Sequence, residues 1–511
     1  MWEVDRNMKN NKLQINIASS IAVQVVSIVC AFILPRLILV SFGSSYNGII
    51  NSVNQFLSCV TLLRAGIGGV TRAALYKPLA QGDNNKISAI IRATEIFMRK
   101  IAMIFVLFLL IFACTYPIFV KEEFSWLFTF SLVVVLGIST VSQYFFGITY
   151  QMLLQADQKL YVYNFVQIIG TIANTIASVI LINAGCEIRI VKLASAIVFG
   201  ITPLFLFYYV KYNYNLVKHI TPDNSTIKQR WDAFAHQVAA FVTTNTDIMV
   251  LTIFSSLYQV SVYSVYNLVI SGVKQLVTTC SSAIEAMLGN TIAESDLQKL
   301  NSRIETYEWV LNVVSCIALL CSAMLIVPFV MIYTNGVIDT NYEQPIFAYF
   351  LCFATFISCV RLPYQNLVEA SGHFYQTRNG AIEEAIINVM VSIIFVKNYG
   401  CVGVVIGTIV ALTIRTIQYA NYASKYILKR KLMAYIKRFT VSLISIFVSM
   451  VIYVVFELNK IVMQADTYLK WVLHASYIFI IVSVIVILIN TIFYKEKTKR
   501  YISIVLKRFF N

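Results

Sequence analysis

The sequence contains few charged residues: Asp, Glu, Lys and Arg make up 13% of its 511 residues. Soluble domains carry about 25%. Hydrophobic residues reach 59%, and the mean hydropathy is +0.74. A water-soluble globule cannot hide that much apolar surface in its core. The shortage of charge therefore excludes a soluble protein and indicates a polytopic membrane protein.

Several motifs that carry chemistry are also missing. None of the 10 cysteines forms a Cys-x-x-Cys pair, so neither a disulfide framework nor a zinc site is predicted. The sequence has no Gly-rich phosphate loop and no His-Glu-x-x-His motif, which argues against a nucleotide hydrolase and a zinc protease. We expect a protein that is not an enzyme, with no metal and no cofactor beyond coupling to protons or sodium.

Apolar segments long enough to cross a bilayer, about 20 residues each, recur along the whole chain. The first follows Arg6 and Lys9 and is too long for a signal-peptide core, so we expect it to be retained. The second is the most polar, because it contains Asn51 and Asn54. The fourteen predicted spans are 14–41, 46–66, 98–120, 124–152, 161–183, 189–211, 233–256, 258–288, 306–333, 346–370, 379–396, 401–424, 438–457 and 468–494.

The distribution of basic residues orients these spans. If both termini are cytoplasmic, 29 of the 40 Lys and Arg lie in the inside segments or at the span ends next to them, 6 in the outside loops or at the span ends next to those, and 5 deeper within spans. This asymmetry is typical of a cell-membrane protein whose basic loops face the cytoplasm. It explains the net charge of +16 by anionic membrane lipids rather than nucleic acid. The outside loops, about a dozen residues at most, leave no room for an extracellular catalytic domain.

Two cytoplasmic segments have apolar residues between basic ones. The segment 67–97 has apolar residues at helical spacing, which predicts an interfacial amphipathic helix or a frayed continuation of the second span. The tail segment 501–506 predicts another interfacial segment. The apolar positions in the first are Val70, Ala74, Leu75 and Leu79.

A weak internal repeat has an offset of 212 residues. In each copy the match begins at the end of one span and enters the next, so the copies have the same topology, as in carriers built from parallel repeats. The repeat predicts six helices (1–212), six more (213–425) and two additional helices with a basic tail (426–511). The matched residues are Phe42, Ser44, Tyr46, Ile50, Ser52 and Val53 against Phe254, Ser256, Tyr258, Val262, Ser264 and Val265.

Charged residues near mid-membrane depth are costly and normally face a cavity or a partner. Arg and Lys suit an anionic substrate, since Arg grips a diphosphate bidentately. The predicted substrate-binding residues are Arg36, Arg64, Lys274, Arg361 and Arg415, with Asn51, Asn54, Tyr263 and Tyr266 as hydrogen-bonding groups. The first six spans contain no Asp or Glu, and the predicted coupling or gate residues, all in the second six, are Asp247, Glu285, Glu369, Glu383 and Glu384.

A purely structural role is the alternative for each of these residues. Arg36 and Arg64 lie nearer the span ends, where a long side chain reaches the headgroups. The deeper charges could form internal ion pairs: Asp247 with Lys274, or Arg361 with Asp247 or Glu369. The polar residues could form interhelical hydrogen bonds.

Three polar patterns in the second half resemble those of the bacterial polysaccharide (Wzx-type) flippases that move O-antigen, capsule or teichoic-type units. These belong to the multidrug, oligosaccharidyl-lipid and polysaccharide exporter superfamily. The resemblance implies two six-helix lobes forming a V around a central cavity. The patterns are Asn245-Thr246-Asp247 followed by Tyr263-Ser264-Val265-Tyr266-Asn267; Arg361-Leu362-Pro363-Tyr364-Gln365 leading to Ala370-Ser371-Gly372-His373; and Glu383-Glu384-Ala385-Ile386-Ile387-Asn388 with Gly400, Gly403, Gly407-Thr408 and Arg415.

The resemblance implies alternating access that carries an undecaprenyl-diphosphate-linked oligosaccharide from the inner to the outer leaflet. A peptidoglycan lipid-precursor flippase and an ion-coupled multidrug exporter stay open as alternatives. The absence of acids from the first six spans argues against an exporter of cationic drugs. The expected partners are the lipid-linked oligosaccharide, anionic lipids and glycan polymerase machinery, and we expect a monomer.

Overall fold

The computed structural model describes residues 2–64, 67–217, 220–221, 234–293 and 296–495. These residues form helices joined by turns and loops, and the described part contains no strand. Contacts divide the chain into two compact units, Met1–Phe241 and Val242–Asn511. The predicted three-part division at residues 212 and 425 stays a prediction.

The first unit is built from helices of very different lengths, interrupted once by a π-helix (π1). Its elements are α1 (Trp2–Phe42), α2 (Ser44–Leu57), α3 (Val60–Leu63), α4 (Ile67–Gln81), α5 (Asn84–Phe119), α6 (Trp126–Ser142), π1 (Gln143–Gly147), α7 (Ile148–Ala156), α8 (Leu160–Asn183) and α9 (Ile188–Asn213).

The second unit begins within α10 and contains a second π-helix (π2). Its elements are α10 (Phe234–Phe254), α11 (Leu257–Ala293), α12 (Leu297–Tyr333), α13 (Pro345–Ala370), α14 (Phe374–Tyr422), π2 (Ala423–Ile427), α15 (Met433–Val455), α16 (Leu458–Met463) and α17 (Tyr468–Phe493).

The helices of the described part account for about fourteen membrane crossings. Ten segments are long and apolar enough to span a bilayer. One of them, Phe374–Ile427, has 54 residues, which at about 1.5 Å per residue is more than twice the hydrocarbon thickness. Gly400 breaks it with φ 52° and ψ −126°, so it crosses twice. Together with the more polar α2, α10 and α11, this confirms the predicted all-α, multi-pass membrane fold.

The second predicted span, 46–66, is shorter as a helix than expected. α2 ends at Leu57, and Ser58 and Cys59 turn the chain through backbone hydrogen bonds to Asn54 and Phe56. Fourteen residues extend only about 21 Å, which is less than the bilayer core. The chain therefore continues through the single turn α3 to Arg64.

The predicted amphipathic segment forms α4, but its apolar side is covered by protein. Leu75 is fully buried, in a cluster with Ile91 of α5, Leu153 of α7 and Leu206 of α9. Ala74 and Leu79 pack against the same cluster. Protein therefore covers the side of the helix that was expected to lie in the membrane interface. The tail segment 501–506 lies outside the described residues.

Side chains fix several helix ends. Asp83 caps α5 by accepting from Lys86 N at 3.0 Å, and Asp296 caps α12 by accepting from Gln298 N and Lys299 N. Each cap satisfies backbone N–H groups that the first turn leaves open. On α1, Asn16 donates to Gln158 O and accepts from Tyr161 N, both at 2.8 Å, so α1 is held at the turn between α7 and α8.

The two halves of α14 pack closely after the break at Gly400. An ideal Cβ on Gly407 would lie 2.2 Å from Ser392 Oγ and 2.9 Å from Asn388 O, and one on Gly403 would lie 2.4 Å from Phe395 O. Side chains larger than hydrogen would force the halves apart. The glycines thus place residues 380–396 opposite residues 403–418.

The two additional helices dock on α12, through contacts of α15 and α17 with it. Glu308 of α12 is fully buried and accepts from Arg430, before α15, and Arg438, on α15. Trp471 of α17 donates to Leu325 O at 3.0 Å. The helices α15 and α17 are therefore integral parts of the second unit.

The two copies of the sequence repeat lie at the same kind of junction. In the first copy α1 ends at Phe42 and α2 begins at Ser44. In the second copy α10 ends at Phe254 and α11 begins at Leu257. Each copy thus joins two successive helices through a very short break, and the parallel topology of the repeat stays a prediction.

Candidate functional site

Four charged residues of the second unit meet in what we call the Glu384 cluster: Lys274, Arg361, Glu384 and Arg415. Arg361 of α13 places Nη1 2.6 Å from Glu384 Oε1, on the first half of α14. Arg415 of the second half places Nε 3.6 Å from Glu384 Oε2. Lys274 of α11 interacts electrostatically with Arg361 and Glu384. Three predicted substrate-binding cations therefore surround one buried carboxylate.

Two further carboxylates lie beside the three cations of the Glu384 cluster. Gln365 donates to Glu369 at 2.8 Å, and Gln418 donates to Glu383 at 2.7 Å. An amide donor leaves the carboxylate charge in place, so three cations and three carboxylates roughly balance. Among the described residues, no cation forms a direct ion pair with Glu369 or Glu383. An anion that contacts Arg361 therefore competes with Glu384 for its guanidinium.

Arg415 is held rigidly within the cluster. Its Nη2 donates to Thr377 O at 3.0 Å, and its Cζ lies 3.9 Å from the centroid of the Tyr419 ring. An ideal Cβ on Gly380 would come within 2.1 Å of Arg415 Nη1, so only glycine leaves room for the guanidinium. Arg415 is 2% exposed, whereas the Arg361 side chain is 17% exposed. Arg361 is therefore the more accessible of the two.

A second arrangement in this unit, the Asp247 site, is a buried carboxylate with neutral hydrogen-bond donors. Tyr263 of α11 donates to Asp247 Oδ2 at 2.8 Å. Thr408 Oγ1, on the second half of α14, lies 3.2 and 3.1 Å from the two carboxylate oxygens. Asp247 is 4% exposed and has no ion-pair partner in the described part of the chain. The proposed pairing of Asp247 with Lys274 or Arg361 is therefore absent there.

Asn388 extends this arrangement through Thr408. Asn388 is fully buried and donates through Nδ2 to Thr408 Oγ1 at 3.0 Å. Its Oδ1 is buried and has no hydrogen-bond partner. Asp247 can take up a proton, or its carboxylate can bind a small hard cation together with Thr408 Oγ1, because such cations prefer oxygen ligands.

The structure engages both predicted tyrosines with protein groups. Tyr263 donates to Asp247, and Tyr266 donates to Tyr342 O at 2.7 Å and accepts from Gln344 N at 3.2 Å. Both are buried, at 6% and 0% exposure. Tyr266 fixes the segment before α13. Both hydroxyl groups are therefore engaged within the protein, and a contact of either tyrosine with sugar stays a prediction.

In the first unit, Arg64 lines two adjoining cavities, which we call the Arg64 cavities. One, of about 200 Å³, lies between α2, α3 and the end of α6; the other, of about 150 Å³, lies between π1, α7, α8 and α9. Arg64 is exposed and has no hydrogen-bond or ion-pair partner among the described residues. The lining of both cavities contains no carboxylate.

The other residues predicted in this unit occupy different positions. Asn54 is exposed and lines the larger cavity. Asn51 donates to Asn47 O at 2.8 Å and to Asn47 Oδ1 at 3.1 Å, within α2. Arg36 is half-buried on α1. The structure thus brings Asn54 and Arg64 together. In the second unit, the side chain of Glu285 lies outside the described residues.

Several of these side chains are not predicted as site residues by the sequence. Asn388 and Thr408 stand out there only as parts of motifs. Their signal is the spacing of polar residues by four, which places Asn388 and Ser392 on one helix face. The Arg64 cavities are also lined by Gln143, Gln151 and Gln167. The sequence gives no signal for these three residues, because a single amide in an apolar span is common.

The sequence matches no protein-family model and no curated protein. Solved transporters share its fold. A structure of "Lipid II flippase MurJ, inward closed conformation" has a TM-score of 0.70 at 15% identity and covers 94% of this chain and 99% of its own. An inward-facing "multidrug resistance MATE family transporter of the MOP superfamily" has a TM-score of 0.58 at 14% identity, covering 77% and 94%. The MATE protein in complex with MaL6 has a TM-score of 0.51.

Proposed function

We propose that the protein is a flippase for an undecaprenyl-diphosphate-linked oligosaccharide repeat unit, which it moves from the cytoplasmic to the outer leaflet for cell-surface polysaccharide synthesis. The observation that carries this proposal is the exposed, unpaired Arg64 in a polar cavity that has no carboxylate. A guanidinium left without a counter-charge inside a membrane protein requires an anion or water. A diphosphate supplies that anion, and Arg binds it bidentately.

The Glu384 cluster adds to the same proposal. The guanidinium of the partly exposed Arg361 is the group able to contact a diphosphate or an acidic sugar. A moving substrate needs weak contacts distributed along its path. Because the Arg361 guanidinium is already paired with Glu384, its contact with the substrate is weaker than the contact of an unpaired guanidinium. Arg415 and Glu384 then hold Arg361 in position.

The isoprenoid tail of such a substrate needs apolar surface. The second unit has a cavity of about 380 Å³ between α12, α13, the second half of α14 and α15, with an almost entirely apolar lining. Leu319, Phe353, Ile446 and Met450 are among the residues that line it. One wall is thus formed by α15, one of the two helices that follow the twelve-helix repeat.

We propose that Asp247 couples transport to a proton or to sodium. The carboxylate is buried and has only neutral donors, and Asn388 donates to one of them, Thr408. Asp247→Asn keeps the shape and removes the charge, so it should abolish the dependence of transport on the coupling ion. Measuring transport by the purified protein in liposomes, with sodium and proton gradients imposed separately, identifies the ion.

Thr408→Val is the companion variant for this test. It removes one donor to Asp247 but leaves the carboxylate, so coupling should persist with a weaker apparent affinity for the ion, roughly three- to tenfold. Glu457→Gln, an exposed change in the loop before α16, serves as the control. If transport by the Asp247→Asn variant still responds fully to both gradients, Asp247 does not couple transport to either ion.

A peptidoglycan lipid-precursor flippase is the second candidate, favoured by the fold shared with the lipid II flippase over 94% of this chain. Deleting the gene separates the candidates. Our proposal predicts loss of a surface polysaccharide and accumulation of undecaprenyl-diphosphate-linked oligosaccharide without peptide, identified by mass spectrometry. Accumulation of the peptide-bearing precursor supports the second candidate.

The same deletion tests the drug-exporter alternative. A drug exporter predicts no accumulation of either lipid intermediate, together with greater sensitivity to cationic dyes such as ethidium. Plasmid-borne wild-type protein should restore the surface polysaccharide, and Arg64→Ala at equal membrane abundance should not. Restoration by Arg64→Ala contradicts the role of the unpaired guanidinium.

A further inference from the structure

The Arg64 cavities contain more hydrogen-bonding capacity than a diphosphate uses. They share Arg64, Gln143 and Ile148 as lining residues, so they adjoin. Their volumes of about 200 and about 150 Å³ together reach the lower end of the range of small-molecule pockets, about 300–1,000 Å³. Space therefore exists for a chemical group beyond the anion that Arg64 binds.

Three glutamines give this space its chemistry. Gln143 begins π1, Gln151 follows on α7, and Gln167 lies on α8; all three line the smaller cavity. Gln167 donates to Tyr163 Oη at 2.9 Å. The amides of Gln143 and Gln151 have no hydrogen-bond partner among the described residues. Each amide both donates and accepts, which matches hydroxyl and acetamido groups.

The backbone around the glutamines is held in place. π1 is a wide turn, of a kind that is frequent at functional sites, and Tyr144 of π1 donates to Val60 O at 3.3 Å. An ideal Cβ on Gly147 would lie 3.0 Å from Pro203 Cβ of α9. A Cβ at this position would press on Pro203, so glycine favours the close approach of π1 to α9 just before α7, which carries Gln151.

The position along the spans fits loading from the predicted cytoplasmic side. Gln151 lies five residues before the end of α7, and Gln167 is the eighth residue of α8, so both lie within about 12 Å of the turn between these helices. The 29:6 distribution of basic residues predicts that this turn is cytoplasmic. A substrate entering from that side meets these amides early.

We propose that the Arg64 cavities form a sugar-binding subsite, in which Gln143, Gln151 and Gln167 bind hydroxyl or acetamido groups of the sugar next to the diphosphate. The subsite selects the glycan that the protein accepts, while Arg64 binds the charge common to all such substrates. This proposal rests on the proposed function, because the sugar reaches the amides only as part of a lipid-linked substrate.

The test compares two probes on the purified full-length protein: farnesyl diphosphate carrying N-acetylglucosamine, and farnesyl diphosphate without a sugar. Wild-type protein should bind the sugar-bearing probe more tightly. Gln151→Leu and Gln167→Leu should each weaken that binding about three- to tenfold and leave the sugarless probe unchanged. Arg64→Ala should weaken both probes. Gln81→Leu, an exposed change at the end of α4, should alter neither.

Thermal unfolding checks that each variant is folded, and Gln151→Met replaces the leucine variant if that protein does not fold. Equal weakening of both probes by the glutamine variants, or equal binding of both probes by the wild type, overturns the sugar subsite. Wild-type protein that binds neither probe contradicts the proposed function itself. The two failures are therefore distinguishable.

Discussion

Arg361 shows how one side chain serves both the fold and the transported substrate. Its guanidinium contacts Glu384 at 2.6 Å, and its side chain is 17% exposed, so substitution changes the internal pair and the accessible charge together. Removing one partner of a buried ion pair typically lowers the free energy of unfolding by about 3–5 kcal/mol. Because Arg415 still neutralises Glu384 at 3.6 Å, we expect the free energy of unfolding to fall by an amount at the lower end of that range.

We predict that Arg361→Ala cripples export of the glycan per unit of membrane-inserted protein, by roughly ten- to a hundredfold, through loss of a charge-assisted contact. Arg361→Lys should retain part of the activity, since the charge survives without the bidentate fork. The measurement is surface glycan divided by the amount of protein in the membrane.

The variant Arg361→Met separates the two roles. It keeps an apolar side chain of similar length and leaves Glu384 paired with Arg415, so protein abundance should stay closer to the wild type than in Arg361→Ala while export stays low. Recovery of export together with abundance would show that Arg361 acts only in holding its unit together.

Single residues differ in how well the sequence predicts their environment. Mid-membrane depth correctly indicates that Lys274, Arg361 and Arg415 need a compensating group. Their partner, Glu384, is predicted at the cytoplasmic end of its span, because hydropathy does not reveal how the halves of α14 pack after the break at Gly400. Contacts between residues 31 positions apart, such as Glu384 and Arg415, depend on that packing.

At the scale of elements, Glu308 decides how the additional helices attach. It is fully buried and accepts from Arg430 and Arg438. We predict that Glu308→Gln lowers the free energy of unfolding by about 3–5 kcal/mol, since two buried guanidinium groups lose their counter-charge. A lower midpoint in thermal unfolding of the purified protein is the expected observation.

The matched control is Glu457→Gln, which cuts an exposed pair with Lys460 whose side chains are 64% and 65% exposed. Exposed pairs contribute about 0–1 kcal/mol, so its midpoint should hardly change. Similar shifts for the two variants would mean that α15 is held to α12 by apolar packing alone.

Element boundaries are predicted well where hydropathy changes sharply and missed where backbone geometry decides. The segment 124–152 is predicted as one uninterrupted span, yet π1 interrupts the helix at residues 143–147, where Gly147 lies close to Pro203 of α9. The segment 67–97 is predicted to be an interfacial helix or a continuation of the second span, and the structure shows Leu75 packed into the protein. An apolar stripe shows that a surface is covered but not what covers it.

At the scale of the whole molecule, composition and charge predict an all-helical, multi-pass membrane protein, and the structure confirms it. Solved flippase and multidrug transporters share this fold at 14–15% identity. The chemistry of the substrate is a local matter that such a distant likeness does not specify. It depends on a few side chains, such as Arg64 and Gln151, and the substrate remains our proposal.

The orientation of the whole chain follows from its basic residues. About fourteen crossings and the 29:6 distribution predict that both termini are cytoplasmic, because positively charged loops are retained on that side. A topology reporter fused at Asp339, in the loop between α12 and α13, should indicate that this loop lies outside the cell membrane. Fusions at Lys429, between α14 and α15, and at the C-terminus should be active inside. A fusion at Gln464, between α16 and α17, should be outside and controls for the two additional helices. The predicted number of crossings between Asp339 and the C-terminus is odd, so fusions at these two positions should report opposite sides. If they report the same side, that number is even. The double crossing of α14 at Gly400 is then the first assignment to be withdrawn.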